Sequence, residues 1–273
     1  MTKERFEADW LAMREPLDHQ SRAKAVMQLL APAWAKHGWS NIIDLGSGTG
    51  SNLRYLAPRL PGPQQWTLFD HDHELLARAR PPEGVPDLRL ATLTGNLASA
   101  GLEVARATGA HLVTASALLD LVSKDWLAAV VDTCRATSAA VLFALNYDGI
   151  LEWVVHDESD DVDDGWIRRA VNEHQRRDKG FGRALGPMAG LHAEMLFRGS
   201  GYRAWLFRSP WQLGPDDMAV VRLLFDGWVE AAIEQTGEEE RVRAWAARRS
   251  RTIARGQFRL IVGHTDFLAL PPD

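Results

Sequence analysis

A single cysteine, Cys134, is present among the 273 residues of the chain. One thiol cannot form an intrachain disulfide bond, and it cannot supply the repeated cysteines of a zinc or iron–sulfur site. We therefore expect a fold that needs neither disulfide bonds nor a cysteine-ligated metal, in a protein of the reducing cytoplasm.

Long apolar runs and an excess of positive charge are absent as well. The longest apolar stretches, 112–122 and 139–145, are shorter than the roughly 20 residues that span a bilayer, and the charged first 22 residues do not resemble a secretion signal. The net charge of −5 argues against non-specific binding to nucleic acid. The sequence thus predicts a protein that binds neither membranes nor nucleic acid, and its 46% hydrophobic residues predict a globular core.

Short apolar runs alternate with helical patterns over the first 146 residues. The patterns predict strands at 41–45, 66–69, 88–93, 111–116 and 139–146, and helices at 18–36, 52–59, 74–80 and 124–136. Such alternation is typical of a doubly wound α/β fold, in which helices cover both faces of a parallel sheet.

The alternation lapses after residue 146. We predict one domain over 1–273 with an N-terminal helical segment at 1–37, an inserted cap at 147–187 and a helical insertion at 214–256. A helix at 189–197 and strands at 202–208 and within 258–270 complete a seven-stranded sheet. The acidic run 157–164 within the cap fits either a solvated loop preceding a helix or an electrostatic attractant for a cationic acceptor.

One glycine-rich turn stands where the first strand meets the next helix. It reads Asp44-Leu-Gly-Ser-Gly-Thr-Gly50, and such glycines let the backbone turn tightly and approach a ligand closely. The third glycine of a dinucleotide motif would fall at Ser51, which weakens a nicotinamide assignment. Asp70 follows the second strand, where an acidic side chain can accept hydrogen bonds from both ribose hydroxyls.

These segments, Asp44–Gly50 and the Phe69-Asp-His-Asp-His run that follows the second strand, resemble the class I S-adenosylmethionine-dependent methyltransferases. The resemblance covers residues 42–146 closely and the last strands in outline. It implies a Rossmann-like sheet whose last strand is antiparallel, S-adenosylmethionine as methyl donor and S-adenosylhomocysteine as product.

The resemblance also implies a set of cofactor-binding residues. Asn96 stands where the family usually has Asp, and His111 occupies a position that is often acidic. The implied set consists of Asp44, Gly46, Ser47, Gly48, Gly50, Asp70, His71, Asn96, Leu97 and Ser116.

The acceptor is assigned to small molecules by elimination. Base methylation of nucleic acid would suit an Asp/Asn-Pro-Pro-aromatic segment after the fourth strand, where this chain has Ser116-Ala-Leu-Leu, and Cys134 lies within a predicted helix. Tyr147, His174 and Lys179 are the predicted acceptor-binding residues.

Three further expectations concern the acceptor side. His174 or Asp148 is the predicted general base. Most of the eleven tryptophans should pack in the core, with one or two available to line an aromatic acceptor pocket. If the cap lies elsewhere, residues 14–22 are the alternative place for that pocket, and the protein is expected to be a monomer or homodimer.

Two alternatives remain open at this point. A nicotinamide-dependent oxidoreductase would also place a glycine turn after the first strand. A non-catalytic regulator would bind S-adenosylmethionine and use the helical insertion as a partner surface.

Overall fold

The computed structural model of the chain describes residues 8–155 and 161–272. In these residues the strands are β1 Asn41–Leu45, β2 Gln64–Asp70, β3 Leu88–Thr94, β4 Leu112–Ser116, β5 Ala140–Val155, β6 Arg203–Arg208, β7 Trp211–Leu213 and β8 Phe258–Leu270. The α-helices are α1 Ala8–Ser21, α2 Lys24–His37, α3 Ser51–Leu56, α4 His73–Arg78, α5 Gly101–Ala107, α6 Lys124–Thr137, α7 Asp164–Gln175, α8 Ala189–Gly199, α9 Met218–Thr236 and α10 Glu239–Arg255. Within these ranges, no helix has the length and apolar character that crossing a bilayer requires.

The strands form one sheet in the order β3-β2-β1-β4-β5-β8-β6, and β7 pairs with β8 beside this path. Strands β1 to β5 pair in parallel, whereas β8 runs antiparallel to both β5 and β6. The predicted antiparallel last strand is therefore confirmed. The three-residue strand β7, which the sequence pattern did not indicate, is added to the seven predicted strands.

Helices cover both faces of the sheet, as the alternation predicted. On one face α5, α6 and α8 pack against the strands through side chains such as Ala105, Val130 and Phe197. On the other face α2, α3 and α4 contribute a second apolar cluster. The inner strands β1, β4 and the first half of β5 are buried on both faces and are largely apolar, whereas the edge strand β3 is mostly exposed.

Strand β5 continues well beyond its predicted end at residue 146. Its outer half pairs with β8, with Trp153 opposite Leu260 and Val155 opposite Phe258, after irregularities in register near 144–150. Residues 147–155 of the predicted cap therefore belong to a strand. Against this extension α7, α9 and α10 form a third apolar cluster that includes Trp153, Trp228 and Trp245.

The N-terminal helical segment contains two helices where the pattern predicted one. The prediction of a continuous helix over 18–36 was wrong, because α1 ends at Ser21 and α2 begins at Lys24. At the break the Ala23 backbone N–H donates to Asp266 of β8 at 2.9 Å, and Arg22 pairs with the same carboxylate at 3.4 Å. A contact this distant in sequence leaves no local signal.

The acidic run is paired with arginines where the structure describes it. Residues 157–160 lie outside the described residues, and Asp161, Asp163 and Asp164 lie at the start of α7. Their carboxylates form ion pairs with three arginines of α10, namely Arg241, Arg248 and Arg249. The predicted helix does follow these acids and begins at Asp164, but the expectation that residues 161–164 are solvated was wrong, because their carboxylates form ion pairs with α10.

Arg249→Ala should destabilise the protein at the contact between α7 and α10. Arg249 is 3% exposed and binds both carboxylate oxygens of Asp164, which also accepts from the Trp245 indole at 2.8 Å. Removing one partner of a buried pair leaves the other charge uncompensated, at a cost of about 3–5 kcal/mol. We expect a loss of that size in urea unfolding, whereas Arg251→Ala, on the exposed side of the same helix, should change stability by less than about 0.5 kcal/mol. Equal effects of the two variants would contradict the assignment.

Candidate functional site

A cleft of about 300 Å³ opens at the carboxyl ends of β1, β2 and β4. Its floor comes from the glycine loop and the loops after β2, β3 and β4. Two segments outside the sheet complete it: α1, through Leu11, Arg14 and Asp18, and the loop at 179–181. Ligands of open α/β sheets bind at this edge, where the strand ends expose backbone groups.

The glycine-rich turn at 44–50, here called the glycine loop, is hydrogen-bonded to the end of β2. Backbone N–H groups of Gly46 and Ser47 donate to the Phe69 carbonyl at 2.8 and 3.2 Å. The Gly48 N–H donates to the Asp70 carboxylate at 2.8 Å. Gly48 has φ +51°, and a Cβ atom there would lie 3.1 Å from Leu11 of α1. Both the backbone conformation and the narrow space therefore require glycine at this position.

Gly48→Val should abolish ligand binding in the cleft. The branched side chain meets Leu11 and is strained at positive φ, so the loop must move from its place beside Asp70. The matched control is Gly109→Val, at φ +59° with no atom within 4 Å of its added Cβ. Calorimetry with S-adenosylhomocysteine should detect binding to the control alone. Binding by the Gly48 variant at unchanged affinity would remove the loop from the site.

Asp70 presents its carboxylate to the cleft from the end of β2. The side chain is 5% exposed, and besides Gly48 it accepts from the Asp72 backbone N–H at 2.9 Å. Nδ1 of His71 lies 3.1 Å from the same oxygen that Asp72 contacts. Oδ2 keeps a second lone pair, and Oδ1 keeps one when Nδ1 of His71 carries no proton, so in that tautomer the group can accept hydrogen bonds from two ligand hydroxyls.

Asp44 is a buried acid on the floor of the cleft. One oxygen accepts from Asn52 Nδ2 at 2.9 Å, while Oδ2 has no hydrogen-bond partner among the described residues. Asn52 is itself held by Thr114 at 2.9 Å and by Arg22 at 3.0 Å. Burial raises the pKa of Asp44 to about 7, against the opposing effects of Asn52 and Arg22. An unpaired carboxylate oxygen beside the glycine loop is suited to a cationic ligand group.

Asp44→Asn should stabilise the protein and weaken ligand binding. The pKa of Asp44 is raised in the folded state, so folding penalises the charged form, and this penalty grows as pH rises from about 4 to about 7. We expect the melting temperature of the ligand-free variant to exceed that of the parent at pH 8, with the difference disappearing near pH 4. S-adenosylhomocysteine should bind at least about tenfold more weakly. A less stable variant at pH 8 would show that the charge is compensated.

Nine of the ten predicted cofactor-binding residues line the cleft. Gly50 does not; it precedes α3 at φ +84°. Asn96 lines the cleft while its side chain accepts from the Ala98 N–H at 2.9 Å, which closes the turn after β3. The nine are Asp44, Gly46, Ser47, Gly48, Asp70, His71, Asn96, Leu97 and Ser116. Their roles toward a cofactor stay predictions, but their convergence on one cavity is a feature of the structure.

The predicted acceptor-side residues are dispersed. Lys179 lines the cleft. His174 lies on α7 with its Nε2 3.0 Å from Glu234 of α9, and Asp148 accepts from the Ile150 N–H at 3.1 Å; neither lines the cleft. The structure does not bring these two predicted general bases to the cleft, because Asp148 lies in the irregular part of β5 beside β8 and His174 lies on α7 beside α9, and their role stays a prediction. Tyr147 also lies outside the cleft, with its hydroxyl donating to Asn172 at 2.7 Å.

Sequence reasoning missed the contribution of α1 to the assigned cofactor cleft. Arg14 and Asp18 form a two-pronged ion pair at 2.9 and 3.2 Å within the cleft wall. The sequence could have predicted this pair, because opposite charges four residues apart meet on one face of a helix. That spacing does not predict which surface of the protein the helix packs against. The alternative acceptor location at 14–22 falls on this segment.

Asp120 is a second buried acid next to the cleft. It lies between the cleft residues Leu118 and Leu121, and it accepts from the Tyr147 backbone N–H. Burial raises its pKa to about 6, while the charges of Arg14 and Lys179 counteract the rise. Asp120 is thus ionised to a large extent near neutral pH yet screened from water.

No family profile matches the sequence, and neither does any curated protein sequence. Among solved structures, a cyclopropane-fatty-acyl-phospholipid synthase-like protein of Lactobacillus casei superposes with a TM-score of 0.52 at 16% identity, over 94% of this chain and 92% of that one. The chain has the class I methyltransferase fold.

Two further structures match at lower TM-scores. A putative methyltransferase of Bacillus halodurans gives 0.49 at 14% identity, over 91% of this chain and 100% of that one. A methyltransferase of Geobacter sulfurreducens in complex with S-adenosylhomocysteine gives 0.42 at 15% identity, over 97% and 99%.

Proposed function

We propose that the protein transfers a methyl group from S-adenosylmethionine to a small-molecule acceptor. The observation that carries the proposal is the placement of two buried carboxylates at the ends of neighbouring strands, with the glycine loop between them. Asp70 would hold the ribose hydroxyls, and the unpaired oxygen of Asp44 would face the cationic methionine end. The methyltransferase-type fold, which binds ligands at this edge of the sheet, supports the same arrangement.

The residues of the chain would act mainly by positioning the reactants. When bound, the cofactor supplies a methyl group on a sulfonium that leaves as a neutral thioether, so the leaving group needs no acid from the protein. Holding donor and acceptor in line contributes about 7–11 kcal/mol in well-oriented reactions. Leu11 and Phe181 bring apolar side chains to the cleft, which favours exclusion of water during transfer.

The acceptor side is assigned to the surface between α1 and the loop at 179–181. Arg14 and Lys179 border it with positive charge, and Leu118 and Phe181 border it with apolar surface. This mixture, together with the net charge of −5, favours a small molecule over nucleic acid. The part of the predicted cap that contributes is accordingly the loop at 179–181, and Asp120, buried between the cleft residues Leu118 and Leu121, is the acid nearest to this surface that could take part in proton transfer.

A nicotinamide-dependent oxidoreductase is disfavoured by the sheet. Doubly wound dinucleotide-binding sheets follow the order 3-2-1-4-5-6 with parallel strands. Here the antiparallel β8 is inserted between β5 and β6. The glycine spacing, with Ser51 at the third position of the dinucleotide motif, agrees with this exclusion.

Asp70→Ala should weaken S-adenosylmethionine binding by about 1.5–3 kcal/mol, a factor of about 10 to 150, because hydrogen bonds to a charged group are lost. Calorimetry measures the dissociation constant, and circular dichroism checks folding. Glu103→Ala, which removes an exposed acid of α5 outside the cleft, should bind like the parent. An unchanged constant for a folded Asp70 variant, or failure of the parent to bind either S-adenosylmethionine or S-adenosylhomocysteine, would refute the proposed function.

A further inference from the structure

Behind Arg14 the structure holds a group of aromatic side chains that the cofactor assignment does not use. The guanidinium of Arg14 lies 5.8 Å from the ring centre of Trp10 and 5.0 Å from that of Trp211. The Trp211 ring is 5.0 Å from that of His264, whose ring lies 6.4 Å from Tyr147. We call these five residues the aromatic chamber. Because Arg14 also lines the cleft, the chamber adjoins its acceptor side.

Two buried polar atoms in the chamber have no hydrogen-bond partner among the described residues: Nε1 of Trp211 and Nδ1 of His264. Their side chains are 2% and 7% exposed. Buried polar groups in folded proteins are almost always paired, because an unpaired one forfeits its hydration without compensation. Two such atoms on adjoining rings therefore indicate that a third group forms hydrogen bonds with them.

The chemistry of the two atoms specifies that group. The indole N–H of Trp211 can only donate. The His264 ring hydrogen-bonds the Val262 backbone carbonyl, which can only accept, so the ring proton is on Nε2 and Nδ1 keeps its lone pair. Burial and the charge of Arg14 lower the pKa of His264 to about 3, which keeps the ring neutral. A hydroxyl group can accept a hydrogen bond from Trp211 Nε1 and donate one to His264 Nδ1, so it would pair with both atoms.

We propose that the aromatic chamber binds the ring of an aromatic acceptor, with Trp211 Nε1 and His264 Nδ1 recognising one of its hydroxyl groups. Planar rings favour a planar ligand, which can stack or meet them edge to face. This inference rests on the proposed function, because it assigns the acceptor of the same site. The alternative occupant of the two atoms is a buried water molecule.

Access to the chamber requires α1 to shift. Asp18 is the one fully buried residue of this 14-residue helix, which also contains Pro16. Arg54 donates to Glu15 of this helix at 2.5 and 2.7 Å, and His19 Nε2 lies 3.1 Å from the Ser51 carbonyl oxygen, so the shift must break these contacts. Arg14 is paired with Asp18 of the same helix, so the two side chains move with α1 as a unit and open the wall between cleft and chamber.

The test compares phenol with anisole on the protein loaded with S-adenosylhomocysteine. Phenol donates and accepts, whereas anisole only accepts and leaves His264 Nδ1 unpaired; a site built for a hydroxyl rejects an analogue that cannot pair. Calorimetry should give a phenol dissociation constant at least about tenfold below that of anisole. Phenol should also move one indole N–H resonance, identified as Trp211 by its absence in Trp211→Phe.

Variants of Trp211 and His264 then test whether these two residues cause the preference for phenol over anisole. Trp211→Phe and His264→Phe should reduce the phenol-to-anisole ratio to about one while S-adenosylhomocysteine affinity stays within about twofold. Trp205→Phe, in the apolar cluster on the other face of the sheet, should leave the ratio unchanged. Equal binding of the two compounds, no binding of either, or an unchanged ratio in both chamber variants would overturn the proposal and leave a structural water as occupant. Failure of the parent to bind S-adenosylhomocysteine would instead reject the proposed function.

Discussion

The fully buried carboxylate of Asp266 is the interaction on which the placement of the site depends. It accepts from the Leu145 N–H at 2.8 Å, from the Ser209 hydroxyl at 2.9 Å and from the Ala23 N–H at 2.9 Å, and it pairs with Arg22. These donors come from β5, from the chain between β6 and β7, and from the break between α1 and α2. The Asp266 side chain thereby fixes the position of the break between α1 and α2, and hence which residues of α1 line the cleft.

From Arg22 the polar contacts continue into the cofactor side. Arg22 donates to Asn52, which donates to Asp44, so the arginine that pairs with Asp266 also supports the acid at the cleft floor. Two members of this network keep buried atoms without a hydrogen bond among the described residues, namely Nη2 of Arg22 in its middle and Oδ2 of Asp44 at its end. Such groups oppose folding, and they persist where the surrounding contacts are numerous enough to hold them. Their cost is consistent with a site arranged for a ligand that is itself charged.

The cofactor half of the site could be predicted from the sequence because its determinants are local. A buried strand followed by glycines, and an acid after the next strand, specify a turn and its neighbour through parallel pairing alone. The acceptor half could not, since Ala23 meets Asp266 across 243 residues and Leu145 meets it across 121. The positions of Asp148 and His174 outside the cleft depend on similarly distant contacts: the irregular pairing of β5 with β8 places Asp148, and packing of α7 beside α9 places His174.

Under the proposed function, the same division separates the cofactor side of the cleft from the acceptor side. Residues 44–118 supply nearly the whole cofactor side, so their geometry is fixed by the five parallel strands and by the glycine loop. The acceptor side is assembled from α1, from the loop at 179–181 and from the extension where β5, β7 and β8 meet. Helix α1 also contacts the strand-end loops directly, with Leu11 beside Gly48 and His19 Nε2 3.1 Å from the Ser51 carbonyl oxygen, so substitutions in α1 would affect both halves of the cleft. The proposed function therefore makes acceptor specificity depend on α1, on the loop at 179–181 and on the antiparallel β5–β8 pair.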